Sequence, residues 1–366
     1  MKRLLLVAFA GVLSGLVSPF VAGSMVSLVR WLNNLWGEFL IVAPVIGFWI
    51  VGFFSRFSPL ILGTGVNSYK DENIRIKPLD LSLKYISTFV TLGFGGSGGL
   101  VSPILFMGKG ISELLARKGE RTFSIAFAAG MLTYYLGTPL SAALLSVEYF
   151  EKDRVSYEDL IPAFLASIIS YYNYRLLGFK PVLLSALQLG SLPKLSTQEV
   201  LTAFALAPVF GAVGLSAYML KFLYGKLAAK LNALQKTLLS GLLVSLVGLI
   251  FGKNVIGLKI IYGENEISFI TGKILATVFT IESMGSSGYF TPLTVIGMNL
   301  GYAFSGLGAT QAIGSIVGIS ALLSSMLNVP IAAVIFPVEL FGYGALVPAA
   351  IGSSVAYMLY KRFRLE

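Results

Sequence analysis

Two short segments, Gly99 to Pro103 and Gly288 to Pro292, combine glycine with proline in apolar parts of the chain. In each, an apolar run suited to a helix follows the proline, a residue that the first turn of a helix tolerates. The N-terminus of a helix exposes unpaired N–H groups and carries roughly half a positive charge, which suits an anion. We therefore predict that two helices begin here and converge on one anion. The alternative is that these glycines only allow helices to pack closely.

The chain that must position these segments is strongly hydrophobic. It has 366 residues, of which 56% are hydrophobic and 12% charged, and its mean hydropathy is +0.82, whereas soluble domains contain about 25% charged residues. Because about 20 apolar residues span a bilayer as a helix, we predict an all-α, polytopic membrane protein. Long intervals without charged residues include Leu4 to Val29, Phe39 to Ser55, Tyr85 to Gly108, Thr122 to Val147, Val200 to Leu220, Ser283 to Val338 and Leu340 to Tyr360.

The sequence repeats itself. The segment that begins at Lys84 and ends in the first glycine–proline segment recurs, 189 residues later, from Lys273 through the second. The sequence TPLSAALLSVE, which ends at Glu148, recurs as VPIAAVIFPVE, which ends at Glu339. Internal repeats in polytopic proteins are typical of channels and secondary transporters, whose halves often have opposite orientations and meet at a midplane site.

We predict a single membrane domain over residues 1–366, built from two inverted repeats of tilted, partly broken helices. The repeats cover 1–177 and 200–366, and the less apolar stretch 178–199 links them. The charged connections between apolar intervals are short, so no cytoplasmic regulatory domain is predicted.

Basic residues outnumber acidic ones by 27 to 17. They are scattered between the apolar intervals, which favours anchoring of cytoplasmic loops on anionic lipid over nucleic-acid binding. A supplementary effect is attraction of anions towards the protein. Basic residues at both ends predict a multi-pass protein of the cell membrane with both termini in the cytoplasm. The alternative interpretation of the N-terminus is a signal peptide.

Cysteine and histidine are absent from the sequence. Their absence excludes disulfides, thiol chemistry, the usual zinc ligands and the commonest proton shuttle. No phosphate-binding loop, nucleophile constellation or cofactor motif is present either. The sequence therefore predicts neither an enzyme nor a metal or cofactor site.

Several motifs resemble those of the CLC family of chloride channels and proton-coupled chloride antiporters. Gly288 to Pro292 is similar to the family motif G-x-F-x-P, and Gly63 to Asn67 is similar to G-S-G-I-P. Gly99 to Pro103 lies where the family carries G-(K/R)-E-G-P. The resemblance extends from about Leu4 to Tyr360 and implies a homodimer, each subunit of which holds its own anion pathway.

The resemblance implies that chloride, or a similar monovalent anion, binds between two of these motifs. The second repeat contributes Gly288 and the backbone N–H groups of Tyr289 and Phe290. The first repeat contributes Thr64 and Gly65, with the Thr64 hydroxyl in place of the family's serine hydroxyl.

The sequence departs from the family at the residues that carry protons. The outer-gate segment reads Gly99, Leu100, Val101, Ser102, so that valine replaces the family's gating glutamate. At the inner proton site, Tyr149 replaces a second glutamate, and tyrosine is a poor proton relay at neutral pH. These losses favour a passive channel or uniporter.

Other ionisable residues leave alternatives open. Glu282 is a candidate replacement for the missing carboxylate. Glu148 and Glu339 have either a structural or a functional role, and Lys84 and Lys273 either attract anions at an entrance or snorkel to the interface.

Two further expectations concern the inner constriction and rival functions. The family's C-terminal helix with its inner tyrosine has no counterpart here, and Tyr343 and Tyr357 are the candidates to replace that tyrosine.

The alternatives to a passive chloride pathway are a coupled or facilitated transporter of chloride, fluoride or nitrate, and a non-conducting membrane scaffold.

Overall fold

The computed structural model describes residues 2–115, 121–150, 155–187, 195–261, 263, 266–282, 285–305 and 310–363. The regular elements among these residues are helices, which confirms the prediction of an all-α protein. An isolated antiparallel bridge joins Gly99 to Gly288. The N-terminal helices are α1 (Lys2–Ser18), α2 (Ser24–Trp36), α3 (Ala43–Phe54), α4 (Val66–Lys70), α5 (Pro78–Gly93), α6 (Val101–Leu115), α7 (Arg121–Leu136), α8 (Pro139–Phe150), α9 (Tyr157–Leu176) and α10 (Val182–Ala186).

The C-terminal helices begin after the predicted linker, of which residues 188–194 lie outside the described residues. They are α11 (Thr197–Ala228), α12 (Ala233–Phe251), α13 (Ile267–Glu282), α14 (Phe290–Ala303), α15 (Gln311–Leu327), α16 (Pro330–Phe341) and α17 (Leu346–Phe363). The division of the domain at 178–199 stays a prediction.

Four candidate membrane spans occur among the described residues, by length and composition: Leu4–Ile41, Thr197–Ala228, Ala233–Phe251 and Tyr343–Phe363. Shorter apolar helices are Ala43–Phe54, Gln311–Leu327 and Pro330–Phe341. The charge-free interval from Tyr85 to Gly108 holds the end of α5 and the start of α6, separated by the first glycine segment. Broken helices of this kind need protein or a water-filled cavity to satisfy their exposed backbone groups.

The N-termini of α11 and α14 differ in whether a side chain caps their unpaired N–H groups. The long helix α11 begins with a capping box in which the Ser196 hydroxyl accepts a bond from the Glu199 N–H, and the Glu199 carboxylate accepts one from the Ser196 N–H. Such reciprocal bonds satisfy otherwise unpaired N–H groups. At the start of α14, by contrast, no side chain caps the N-terminus.

Matching hydrogen bonds link the two halves at the centre of the molecule. The Ser97 N–H donates to the Thr280 hydroxyl at 3.0 Å, and the Ser286 N–H donates to the Thr91 hydroxyl at 3.0 Å. Since the repeat aligns Thr91 with Thr280 and Ser97 with Ser286, each bond is the counterpart of the other. The halves are therefore arranged about an approximate two-fold axis at this point.

A second reciprocal pair joins α8 and α16. The Glu148 carboxylate accepts the N–H groups of Ile331 and Ala332 at 2.9 and 2.8 Å, at the start of α16. The Glu339 carboxylate accepts the N–H and hydroxyl of Ser141, at the start of α8, at 2.6 and 2.5 Å. Each carboxylate thus neutralises the positive end of the other half's helix. The geometry favours the structural role for both glutamates.

Replacing Glu148 with alanine is expected to destabilise the protein by about 2 kcal/mol, because one buried and one partly buried N–H group at the start of α16 lose a charged acceptor. Thermal unfolding of the purified protein, followed by tryptophan fluorescence, measures the effect as a lower midpoint. Glu158→Ala, which removes an exposed carboxylate from the first turn of α9, is the control. Equal midpoints for the two variants would contradict the structural role.

Candidate anion site

A cavity of about 470 Å³ collects most of the predicted site residues. It is bounded by the loop before α4, the start of α6, the end of α8 and the end of α13. We call it the central cavity. The predicted residues that line it are Thr64, Gly65, Ser102, Tyr149, Glu282 and Tyr289.

The loop that carries Thr64 is shaped by two glycines. Gly63 and Gly65 have φ angles of +64° and +76°, a region that other residues rarely adopt. The Thr64 hydroxyl oxygen accepts a bond from the Val66 N–H at 3.3 Å. Because that bond uses only a lone pair, the hydroxyl hydrogen is free to donate to an anion.

Lys84 holds this loop from behind. Its side chain is fully buried, and Nζ donates to the carbonyl oxygens of Ile61 and Gly63 at 2.9 and 2.8 Å. Its repeat counterpart, Lys273, is 1% exposed and donates to the Gly257 carbonyl at 3.2 Å. Burial of both side chains excludes snorkelling to the interface, and neither lines the central cavity. Lys84 is a positioning residue for the Thr64 loop.

Replacing Lys84 with methionine is expected to weaken anion binding about tenfold, because the loss of two charge-assisted bonds releases the loop. Lys273→Met is the matched control, since it removes an equally buried ammonium that holds a different loop. Chloride titration of purified protein by calorimetry measures the difference. Similar affinities in the two variants would show that Lys84 does not position the site.

The two predicted helix starts meet as expected. α6 begins at Val101 and α14 at Phe290. Just before them, Gly99 and Gly288 exchange two backbone hydrogen bonds, each 2.8 Å long. A Cβ atom on Gly288 would lie 2.8 Å from the Ser102 hydroxyl oxygen, so this close approach requires glycine.

Some predicted residues lie behind the cavity wall. Gly99, Leu100, Val101, Gly288 and Phe290 are buried but do not line the central cavity. The valine at the outer-gate position is fully buried in the hydrophobic core. The outer-gate segment therefore reaches the cavity only through its serine.

Tyr149 lies near the C-terminal end of α8. Its side chain is 6% exposed, and its ring lies 6.0 Å from Nζ of Lys70, which also lines the central cavity. Glu148, next to it, is engaged with α16. Among the described residues, the carboxylate that lines the cavity is Glu282.

Glu282 is held by Tyr289, the residue that precedes α14. Its Oε1 accepts a bond from the Tyr289 hydroxyl at 2.8 Å. Nζ of Lys221, from α11, lies 5.2 Å from the centre of the Tyr289 ring and lines the cavity as well. The described lining thus carries two ammonium groups, Lys70 and Lys221, against one carboxylate, a balance that favours an anion.

Sequence reasoning missed the two lysines and misplaced the tyrosines. In the sequence, Lys221 stands out only as the residue that ends a charge-free interval. Tyr343 is 91% exposed, and neither it nor Tyr357 lines the central cavity, so the expectation that one of them replaces the inner tyrosine is wrong. The tyrosines that line the cavity are Tyr149 and Tyr289.

Comparisons with known proteins agree on one family. The sequence profile of a family described as voltage gated chloride channel matches residues 1–124 and 115–361. An uncharacterized protein of Methanocaldococcus jannaschii is 26% identical, with 96% of this chain and 91% of the relative covered. A chloride/fluoride channel protein of Pseudomonas syringae is 27% identical, with 98% and 84% covered.

The fold is also similar to solved structures. A CLC-type fluoride/proton antiporter superposes with a TM-score of 0.85 over 98% of this chain and 95% of that one, at 23% sequence identity. At this identity the likeness concerns the fold. Relatives and structural neighbours therefore include both channels and antiporters.

Proposed function

Because this chain belongs to the CLC family of chloride channels and transporters, we propose that it conducts chloride, or a similar small monovalent anion, passively across the cell membrane. In this proposal the anion lies at the edge of the central cavity, between the Thr64 hydroxyl and the backbone N–H groups of Tyr289, which lines the cavity, and of Phe290, which follows it. Neither an enzyme activity nor a cofactor enters the proposal.

One observation carries the passive mechanism. Val101 is the first residue of α6 and is fully buried, two residues after the bridge between Gly99 and Gly288. A valine side chain neither ionises nor competes with an anion for the N–H groups around it. A proton therefore has no carrier at this point, and anion movement is not tied to proton movement there.

The composition of the cavity supports conduction as well. A conducting site must bind its ion strongly enough to admit it and weakly enough to release it. Here the donors are neutral hydroxyl and amide groups, and the lysine ammonium groups are opposed by the Glu282 carboxylate. Such a site attracts an anion without trapping it.

A coupled transporter is the second candidate, and Glu282 is the observation that favours it. Its carboxylate lines the central cavity and is linked to Tyr289, so it is placed to exchange a proton beside the anion. The transported anion is a separate question, since fluoride and nitrate carry the same charge as chloride. A scaffold without flux is the remaining alternative.

The proposal extends to the assembly and its place in the cell. We place the protein in the cell membrane with both termini in the cytoplasm, as a homodimer whose subunits conduct separately. Light scattering of the purified protein tests the dimer, and reporter fusions at the two termini test the orientation.

Chloride efflux from proteoliposomes, with and without a potassium-selective ionophore and with external pH recorded, tests the proposed function. We expect efflux that depends on the ionophore, because uncoupled chloride movement separates charge, and no accompanying proton movement. Proton flux opposite to chloride would instead support coupling through Glu282, and Glu282→Gln would then abolish it. Absence of flux for chloride, fluoride and nitrate would favour the scaffold.

A further inference from the structure

A second cavity, of about 450 Å³, adjoins the central one along the C-terminal part of α11. It is lined by Tyr218, Lys221, Phe222, Gly225, Lys226, Ala229 and Glu282. Lys221 and Glu282 line both cavities. These two side chains therefore stand at the junction between them, and an ion that passes from one cavity to the other passes this pair.

The carboxylate at the junction is already engaged. Glu282 accepts the Tyr289 hydroxyl bond at 2.8 Å on one side. On the other side it lies against Gly225, where a Cβ atom would come within 3.3 Å of Oε2. Tyr289 is 2% exposed, so its hydroxyl is a fixed donor. Glu282 is thus held in place between α14 and α11.

The ammonium at the junction faces the aromatic ring and not the carboxylate. Nζ of Lys221 lies 5.2 Å from the Tyr289 ring centre, and within the described chain no ion pair under 4.0 Å joins it to Glu282. An ammonium is a compact charge with three donors. An anion at the junction would supply the contact partner that the carboxylate does not.

The lining of the second cavity, like that of the central cavity, carries a net positive charge. Lys226 lines it, with Nζ 4.1 Å from the Phe222 ring centre. Two ammonium groups against one carboxylate leave this cavity with a net positive lining. Positive linings raise the local concentration of anions and the rate at which they arrive.

We propose that Lys221 binds a second small anion at the junction, and that anions reach the central cavity through the second one. This inference rests on the proposed function. The fixed Glu282 carboxylate weakens the junction site by repulsion, so that the anion moves on. Two neighbouring sites also allow one anion to displace the next.

Crystals grown in bromide, which stands in for chloride and is located by its anomalous scattering, test the proposal. The wild-type protein is expected to show one bromide beside Thr64 and a second within contact distance of Lys221 Nζ. Lys221→Met should keep the first and lose the second, Lys221→Arg should keep both, and Glu282→Gln should raise occupancy at the junction. Loss of junction occupancy in Glu282→Gln would overturn the competing role of the carboxylate.

Flux measurements separate a functional site from an adventitious ion only. Lys221→Met is expected to lower chloride efflux at least about threefold at low salt, with the difference shrinking at high ionic strength because salt screens the charge. Lys361→Met, which removes an ammonium that also lies beside a tyrosine ring, should leave efflux unchanged. Bromide at the junction with unaltered efflux in Lys221→Met would identify an adventitious ion and overturn the proposal.

The failures of the two proposals are distinguishable. A bromide beside Thr64 with none at Lys221 overturns the junction site and leaves the proposed function standing. Absence of bromide from both positions, together with absence of flux, overturns the proposed function itself.

Discussion

Val101→Glu is expected to reduce chloride efflux about tenfold or more at neutral pH, a change of at least about 1.4 kcal/mol in the free energy of the conducting state. Val101 is the first residue of α6 and lies where the starts of α6 and α14 converge. A carboxylate there can accept the N–H groups that an anion would otherwise use. It would act as a tethered anion that blocks the free one.

The matched control is Val101→Gln, which has nearly the same size and shape without the charge. Both variants place a polar side chain in a fully buried position, so any general loss of stability is shared. Only the glutamate variant should recover flux on acidification, because protonation removes its charge. Efflux from proteoliposomes across a range of pH, with folded protein verified by size-exclusion chromatography, measures this difference.

Equal flux in the glutamate and glutamine variants at every pH would show that the position lies off the anion route. Proton movement that appears only in the glutamate variant would instead mean that valine at this position is sufficient to explain uncoupled conduction.

The repeat allowed much of the centre to be predicted from sequence. Because the two halves share one spacing, the sequence predicts that the helix starts after Gly99 and Gly288 approach each other, and the bridge between these glycines confirms that approach. That the two helix starts share one anion stays a prediction. The same symmetry explains why Glu148 and Glu339 have reciprocal partners, although sequence could not identify those partners. A helix start 183 residues away leaves no local trace beside Glu148.

The rest of the site depends on contacts between elements that are distant in sequence. Lys84 interrupts an apolar segment, a pattern that fits anion attraction, snorkelling or loop support equally well. The burial of Lys84 and its bonds to the Ile61 and Gly63 carbonyl oxygens decide among them. Lys221 belongs to a helix without a motif, and its place in the cavity depends on how α11 packs beside α13. Tyr343 and Tyr357 were chosen by residue type near the C-terminus, a criterion that says nothing about which surface they occupy.

Gly288→Ala is expected to abolish most anion conduction, with a loss of more than about tenfold, and to lower thermal stability by about 1 to 3 kcal/mol. The added methyl group would lie 2.8 Å from the Ser102 hydroxyl oxygen, 3.1 Å from its Cβ and 3.2 Å from its backbone nitrogen. Backbone atoms cannot rotate away, so the two helix starts must separate. Separation would lengthen the bonds between Gly99 and Gly288 and misalign the N–H groups of α14.

The control is Gly248→Ala in α12, where the nearest neighbours of the new methyl group would be side-chain methyl groups, those of Ile256 at 3.2 and 3.6 Å and that of Ile41 at 3.7 Å. A helical glycine at such a place gains slightly from alanine, since the unfolded chain loses freedom. Chloride binding, efflux and the unfolding midpoint should therefore all be lower in Gly288→Ala than in Gly248→Ala. Because anion binding depends on how precisely the two helix starts are held, Gly288→Ala should lose binding even when it is assayed well below its unfolding midpoint. A variant that unfolds more easily but binds chloride normally would mean that the crossing glycines serve packing alone.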